Sequence, residues 1–353
     1  MSEPSPPARL PDVLPSDVAP PDAPRSAAPS SAAPSSEAPP RAAPLPGVPR
    51  LAVVTGTGRS GTTLVTEVLA RHPATGFVSG VDDKLWRLGS RGRWNGRLYR
   101  AGGARPSSLR ALSEATALLE RGRLRVAPSE AYALLDRHVL PGFSRPCRDL
   151  LAEDLTPPVR RRLVAFVEER RRAQGAEVLL QHLTGWPRTG LLREAVPDLR
   201  TVNVVRDGRA VASSWLQMGW WDGWRGPGQW LYGPLPPELH EAWERSGRSF
   251  AVLAALGWRV LVDAAERARA LTPPGQWLDV RYEDLLADPR GVLDEALAFL
   301  GLPWTPAFEA GLRRHRLEGG RREAFRDELT AAQLAAVEEV LAEPLARWGY
   351  EPG

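Results

Sequence analysis

The segment Val53–Leu64, which reads Val-Val-Thr-Gly-Thr-Gly-Arg-Ser-Gly-Thr-Thr-Leu, decides the fold. The apolar run Leu51–Thr55 predicts a buried strand, and Gly61–Arg71 predicts a helix. A glycine-rich turn between a strand and a helix directs several backbone N–H groups at one anion, and the helix adds its positive N-terminal end. The segment therefore predicts a phosphate-binding loop at Gly56–Thr63, with a glycine-rich turn that binds no ligand as the alternative.

The loop differs from the form that binds nucleoside triphosphates, G-x-x-x-x-G-K-[ST]. Gly56 and Gly61 have the required spacing, but Thr62 stands where that motif has lysine. No convincing magnesium-binding acid follows a later strand, so a kinase or triphosphatase is disfavoured. The run Gly58–Gly61 does not match G-x-S-x-G either, which excludes the nucleophile elbow of a hydrolase.

The rest of the chain alternates short apolar runs with helical patterns. The predicted strands are Glu177–Leu183, Arg200–Val205 and Gln276–Arg281. The predicted helices are Leu109–Glu120, Ser129–Leu140, Pro157–Ala173, Gly208–Met218, Pro237–Arg269 as one or two helices, Pro289–Leu300 and Thr330–Arg347. Ser79–Arg105 shows no clear period and predicts irregular structure. Strands that alternate with helices predict a three-layer α/β fold, in which helices cover both faces of a central parallel sheet.

Residues 1–49 are rich in Pro, Ala and Ser and contain 15 of the 35 prolines. Such a segment buries too little apolar surface to offset the entropy lost on ordering it. We therefore predict a disordered tail at 1–49 and one domain at 50–353. The N-terminus has no signal-peptide pattern, and the longest apolar stretch, Phe250–Val262, is too short to span a bilayer. These features predict a cytoplasmic protein without a membrane span.

The charge balance favours an anionic ligand. The chain has 46 Lys and Arg against 42 Asp and Glu, a net charge of +4, which is too small and too dispersed to predict nucleic-acid binding. Lys84 is the only lysine, so a role usually held by lysine falls to arginine. Cys147 is the single cysteine, and the five histidines lack metal-ligand spacing. We therefore expect no metal site.

A second anchor for an anion lies in Val202–Trp215, Val-Asn-Val-Val-Arg-Asp-Gly-Arg-Ala-Val-Ala-Ser-Ser-Trp. Arg206 stands at the end of a predicted strand, where its guanidinium offers two parallel hydrogen bonds to a phosphate. Ser214 lies two turns along the next helix, and its hydroxyl adds a donor if that face of the helix points at the ligand. The alternative is that Arg206 pairs with a carboxylate such as Asp207 or Glu194.

A [PTG]-[KR]-S-G-T-T loop after the first strand, combined with this second anchor, resembles the sulfotransferase family. The resemblance covers roughly residues 50–350 and implies 3′-phosphoadenosine 5′-phosphosulfate (PAPS) as the sulfonate donor. It implies that Arg206 and Ser214 bind the 3′-phosphate and that Arg59 approaches the bridging and sulfonate oxygens. The residues implied to hold the 5′-phosphosulfate are Gly58, Arg59, Ser60, Gly61, Thr62 and Thr63.

Two further stretches resemble elements of this family. Trp277–Pro289 is similar to the Y-E-D strand end, a mostly structural element in which we expect Glu283 or Asp284 to cap the next helix. Gly319–Arg326 is similar to a late basic loop that covers the 3′-phosphate, with Arg321 and Arg322 as the implied ligands. A solvated run of surface charge is the alternative for this loop.

Sulfonate transfer needs a general base for the acceptor proton. His182 is the first choice, because the resemblance places a catalytic histidine in a K-T-H-L-P stretch upstream of the 3′-phosphate strand, although this chain lacks the lysine of that stretch. A core histidine is the alternative. The resemblance to the family branch with arginine in the loop also implies a carboxylate shortly after the first helix, which makes Asp82 or Asp83 the rival base. Loop capping or pairing with Lys84 is the alternative for either aspartate.

Five tryptophans crowd the segment Trp215–Trp230, and Trp220 or Trp221 is expected to contact the acceptor, with a place in the core as the alternative. The resemblance implies transfer of a sulfonate from PAPS, without a metal, to a hydroxyl or amine of a small metabolite or carbohydrate. A nucleotide-binding protein that kept the fold and lost the chemistry is the alternative.

Overall fold

Strand β1 (Leu51–Gly56) is fully buried and lies in the middle of a parallel sheet. The computed structural model describes residues 50–101, 126–315, 317 and 322–351. Within them the sheet has five strands in the order β2-β3-β1-β4-β5. The other strands are β2 (Thr75–Phe77), β3 (Val178–His182), β4 (Arg200–Val205) and β5 (Trp277–Arg281).

Helices cover both faces of the sheet. In chain order the helices of the described ranges are α1 (Thr62–Leu69), α2 (Gly80–Lys84), α3 (Asn95–Arg100), α4 (Tyr132–His138), α5 (Pro157–Gln174), α6 (Thr189–Ala195), α7 (Gly208–Leu216), α8 (Pro237–Arg245), α9 (Phe250–Ala270), α10 (Tyr282–Ala287), α11 (Pro289–Phe299), α12 (Pro306–Leu312), α13 (Phe325–Glu328) and α14 (Ala331–Arg347). On one face of the sheet, Val54 and Val202 pack with α1, α11 and α12. On the opposite face, α4–α6 pack around Val53, and α7, α9 and α14 pack around Val205. The predicted three-layer α/β fold is confirmed.

The four predicted strands and most predicted helices are present, and their ends shift by no more than a few residues. Pro237–Arg269 forms two helices, α8 and α9, because Gly247 and Arg248 adopt left-handed φ angles of 69° and 61° between them. No prediction covered β2. The prediction of irregular structure throughout Ser79–Arg105 is wrong, since this segment contains α2 and α3.

Three predictions concern residues outside the described ranges: the tail at 1–49, the helix Leu109–Glu120 and the position of Arg321. Among the described helices, none combines the length and the apolar character needed to cross a bilayer.

The parallel sheet places the candidate site. Val54 is the register partner of His182 and of Val202, so β3, β1 and β4 end side by side. Because parallel strands all run in one direction, the segments that follow them meet at one edge of the sheet, where ligands bind in open α/β folds. The phosphate loop, His182 and Arg206 therefore share this edge.

Candidate active site

The loop between β1 and α1 needs glycine at both ends. Gly56 has a φ of 153°, and a Cβ on it would lie 2.3 Å from the carbonyl oxygen of Val204. Gly61 has a φ of 99°, and a Cβ there would lie 2.4 Å from Cδ2 of Tyr282. Glycine alone adopts these angles at low cost and allows such close approach. Ser60 closes the turn, since its Oγ donates to the carbonyl of Thr57 at 2.7 Å.

The structure brings the two predicted anion anchors together. Arg59 Nε donates to Ser214 Oγ at 2.9 Å, across 155 residues of sequence. Arg206 Nη1 donates to the carbonyl oxygen of Arg59 at 3.2 Å, and the indole N–H of Trp215 donates to the carbonyl oxygen of Gly58 at 2.7 Å. Two guanidinium groups, a serine hydroxyl and the start of α1 thus form one cluster, which suits a ligand with two anionic groups.

Neither carboxylate named as an alternative partner of Arg206 pairs with it. Asp207 caps α7 by accepting from the backbone N–H of Arg209 at 2.9 Å, and it also accepts from the Arg209 side chain at 2.8 Å. Glu194 pairs with Arg160 at 2.5 Å. The guanidinium of Arg206 lies instead 4.9 Å from the ring centre of Tyr282, the ring that packs on Gly61 in the phosphate loop.

The Y-E-D element supports the site in a way that the sequence did not indicate. Glu283 accepts from the backbone N–H of Asp207 at 3.3 Å and from the hydroxyl of Tyr350 at 2.8 Å, so it connects the start of α7 to the C-terminal region. The expectation that Glu283 or Asp284 caps the next helix is wrong. Asp288 caps α11, because its carboxylate accepts from the backbone N–H of Gly291 at 2.9 Å.

His182 ends β3 and is almost completely buried. Within the described part of the chain, its Nε2 has no hydrogen-bond partner. Burial lowers the pKa of the imidazole, and the carboxylate of Glu130 offsets part of that shift. A lowered pKa keeps the ring neutral near pH 7, so that one ring nitrogen keeps the electron pair that a general base needs.

The two aspartates proposed as the rival base have different surroundings. Asp82 is buried and caps α2 together with Ser79, and its carboxylate also accepts from the amide of Asn95 at 2.6 Å and from Ser90 Oγ at 3.0 Å. Asp82 therefore has the loop-capping role that we gave as its alternative. Asp83 is half-buried, and its carboxylate accepts a hydrogen bond of 2.9 Å from the backbone N–H of Leu134. Asp83 remains the acidic candidate.

The late basic loop is described only in part. Arg322 is exposed and stands in the turn before α13. Phe325 is buried beneath the guanidinium of Arg209, and Glu328 accepts from Gln217 at 2.9 Å. This segment therefore packs on α7, the helix that carries Ser214, and a contact of Arg322 with the 3′-phosphate stays a prediction.

The tryptophan cluster divides into core and surface. Trp215 and Trp230 are buried, and Trp215 stacks on Tyr232 with 5.2 Å between ring centres. Trp221 is half-buried against the same core. Trp220 is 46% exposed. Its indole faces Gly58 so closely that a Cβ on that glycine would be in van der Waals contact with the ring, at 3.5 Å. Trp220 is therefore an exposed aromatic ring beside the phosphate loop.

Across the described ranges, no group of three or more His, Cys, Asp or Glu side chains is arranged to hold a metal ion. The charged groups proposed to meet the ligand, Arg59 and Arg206, are cations, and cations bind anions directly.

Comparison with known proteins agrees with this geometry. Residues 52–306 match the sequence model of the Sulfotransferase family, which is most of the chain, and the protein belongs to that family. The match includes the phosphate loop, His182, Arg206 and Ser214.

Individual relatives are distant. The chain is 26% identical over 199 residues to omega-hydroxy-beta-dihydromenaquinone-9 sulfotransferase Stf3 of Mycobacterium tuberculosis, covering 54% of this chain and 46% of that protein. It is 30% identical over 195 residues to human carbohydrate sulfotransferase 2, covering 46% of this chain and 36% of that protein. The chain thus spans less than half the length of either relative. Among solved structures, sulfotransferase STF9 from Mycobacterium avium is 19% identical with a TM-score of 0.48, covering 86% of this chain and 78% of that one.

Proposed function

We propose that this protein transfers a sulfonate group from PAPS to a hydroxyl or amine of a small-molecule or carbohydrate acceptor. The observation that carries the proposal is the cluster of Arg59, Arg206 and Ser214 at the start of α1. Family membership supports the reaction class. The names of the relatives refer to a hydroxylated menaquinone and to carbohydrate, which supports a hydroxyl acceptor.

The proposed chemistry is an in-line displacement at sulfur. The acceptor oxygen forms a bond to sulfur, and the bond from sulfur to the bridging oxygen of the 5′-phosphate breaks. Negative charge grows on the leaving phosphate, where Arg59 and the N–H groups of the loop stabilise it. The acceptor proton passes to the neutral imidazole of His182. The products are a sulfonated acceptor, adenosine 3′,5′-bisphosphate and a proton.

Binding of adenosine 3′,5′-bisphosphate, measured by calorimetry against ATP, tests the nucleotide class. We expect micromolar affinity for the bisphosphate, because Arg206 and Ser214 meet a 3′-phosphate, and no measurable affinity for ATP, which has no 3′-phosphate. Tighter binding of ATP would instead support the kinase or triphosphatase alternative. Bisphosphate binding without any sulfonate transfer would support a nucleotide-binding protein that lacks catalysis.

The Trp220→Ala variant tests the proposed acceptor contact. An aromatic contact contributes roughly 0.5–1.5 kcal/mol, so we expect the acceptor KM to rise about two- to tenfold while bisphosphate affinity stays unchanged. Trp224→Ala is the matched control, because Trp224 is 62% exposed on the same segment. Steady-state kinetics with an acceptor found in a screen of phenols and sugars gives the readout. Equal effects of the two substitutions would contradict a specific contact.

A further inference from the structure

Residues 84–101 carry an unusual charge pattern. The segment contains six basic residues and no Asp or Glu, in a chain with 42 acidic residues. The basic residues are Lys84, Arg87, Arg91, Arg93, Arg97 and Arg100. Leu85, Trp94 and Leu98 of the same segment are among the exposed large apolar side chains. The segment thus combines positive charge with exposed apolar groups.

Two of these apolar side chains, Trp94 at the start of α3 and Leu98 within it, face solvent. On the inward face of α3, Asn95 donates to the carbonyl of Phe77 at 2.9 Å, and the buried ring of Tyr99 packs edge-on against Phe77 in the core. Trp94 and Leu98 lie one turn apart on the outward face, at 50% and 49% exposure. A surface helix of a soluble protein normally carries polar side chains on its outward face, so the exposed apolar side chains of α3 depart from that pattern.

Arginines surround the exposed indole. The guanidinium carbons of Arg93 and Arg97 lie 5.2 and 5.6 Å from the Trp94 ring centre, within the range of a cation–π contact. Arg91, on the same surface, pairs with Glu169 at 2.6 Å. The positive charge and the exposed apolar side chains therefore lie on the same part of the protein surface.

This surface continues around the turn before α3. Two adjoining depressions share Gly89, Ser90 and Arg91, and one extends to Trp94 and Arg172 while the other extends to Leu85, Trp86 and Arg162. Arg172 has Glu168 as a partner at 3.4 Å. We call the exposed part of residues 85–98, with Arg162 and Arg172, the Trp94 surface. Even with Glu168 and Glu169, basic groups outnumber acidic groups on it.

We propose that the Trp94 surface docks on an anionic lipid bilayer. Trp and Leu side chains flanked by Arg suit the boundary between lipid headgroups and acyl chains, because the apolar parts insert while the cations meet lipid phosphates. The sign of the charge selects an anionic membrane. The contact lies on α3 and the preceding turn, so it is separate from the residues proposed to bind the nucleotide.

Co-sedimentation of the full chain with vesicles tests this proposal. We expect binding to vesicles of phosphatidylglycerol and phosphatidylcholine at about 0.1 M salt, weakened at about 1 M salt, and no binding to phosphatidylcholine alone. The double variant Arg93→Glu/Arg97→Glu should lose at least about 25-fold in affinity, since each basic residue near an anionic surface contributes about fivefold. Trp94→Ala/Leu98→Ala should lose about tenfold.

A matched control separates this surface from net charge. Arg245→Glu/Arg248→Glu makes the same charge change at two exposed arginines, the last residue of α8 and a residue shortly after it, and it should leave vesicle binding unchanged. Thermal unfolding of each variant confirms an intact fold.

The proposal would be overturned if the wild-type chain did not bind anionic vesicles, if the two arginine variants lost equal vesicle affinity, or if Arg93→Glu/Arg97→Glu bound vesicles as tightly as the wild type. Displacement of vesicles by adenosine 3′,5′-bisphosphate would also overturn it, because lipid phosphate would then occupy the nucleotide site. A wild type that ignores vesicles but forms a salt-sensitive complex with an acidic protein, or with a second copy, would assign the surface to a protein partner. Sulfonate transfer is measured separately, so its failure leaves these results unchanged.

Discussion

Replacement of His182 by asparagine is expected to lower turnover by roughly a hundred- to ten-thousandfold, the contribution of a general base. The affinity for adenosine 3′,5′-bisphosphate should stay unchanged, because no proposed nucleotide contact involves this side chain. Steady-state kinetics gives the turnover number and calorimetry gives the affinity. Thermal unfolding is needed beside them, since His182 is buried and its replacement leaves the interior altered.

Asp83→Asn is the matched variant for the rival base. If His182 takes the proton, this change should be mild, and its effect should come from the hydrogen bond to Leu134. A His182→Asn enzyme with full turnover, together with a large loss in Asp83→Asn, would assign the base to the acid.

The pH profile gives a second readout for His182. A base must be unprotonated, and burial lowers the pKa of this imidazole below its ordinary value of about 6.5. The wild-type rate should therefore decline toward acid pH with a midpoint below pH 6.5. The free energy of unfolding should also fall at acid pH. The pKa of His182 is lower in the folded chain than in the unfolded chain, so the stability that neutral His182 contributes is complete above the unfolded pKa and is lost as the pH falls through the folded pKa. A rate that already declines above neutral pH would contradict the assignment.

We expect different defects in two variants: Arg206→Ala should lose nucleotide affinity, and Arg59→Ala should lose mainly turnover. Arg206 is proposed to hold a phosphate in the ground state, and a charge-assisted hydrogen bond of this kind contributes roughly 1.5–3 kcal/mol. Its loss should weaken the binding of PAPS and of the bisphosphate alike by about ten- to a hundredfold. Arg59 is proposed to meet charge that grows in the transition state, so its loss should lower kcat more than donor affinity.

The contacts between these residues require controls. Arg206 donates to the carbonyl of Arg59, so Arg206→Ala also removes a support of the loop, and Arg206→Lys keeps the charge while losing the bidentate geometry. Arg59 and Ser214 are in direct contact, so we expect the double variant Arg59→Ala/Ser214→Ala to be non-additive. Arg245→Ala, at an exposed arginine of α8, should change nothing. Unchanged bisphosphate affinity in Arg206→Ala would rule out its role at the 3′-phosphate.

Local sequence patterns were sufficient to predict the four strands that have longer apolar runs. They were not sufficient to predict β2. Thr75–Phe77 is a three-residue edge strand without a recognisable pattern. It pairs with β3 on one side, and the side-chain amide of Gln174 bonds to both the N–H and the carbonyl of Phe77 at 3.0 Å. An edge strand that depends on a side chain 97 residues away cannot be predicted from its own residues.

The candidate site shows the same division. The strand–turn–helix connection at Gly56–Thr63 was predictable because its glycines, Arg59 and the start of α1 are close together in sequence. The partners of Asp82 and Glu283 were not, because Asn95 and Tyr350 reach them only after folding. The predicted cap on α11 is wrong for a related reason. The neighbouring sequence indicates a helix cap at Glu283, whereas its carboxylate accepts hydrogen bonds from Asp207 and Tyr350, which are distant in sequence.

The sequence by itself determined the fold class and the glycine-rich turn between β1 and α1, because periodicity and glycine spacing act within a few residues. The resemblance to sulfotransferases rests on two short motifs, in the loop at Gly58–Thr63 and in Val202–Trp215. The tertiary structure alone decided that Arg59 meets Ser214 across 155 residues and that His182 ends in a buried position with its Nε2 unpaired within the described chain. It also decided that Trp94 and Leu98 face solvent. Burial, and contact between distant segments, depend on how the parallel strands align at one edge of the sheet, and no local pattern contains that alignment.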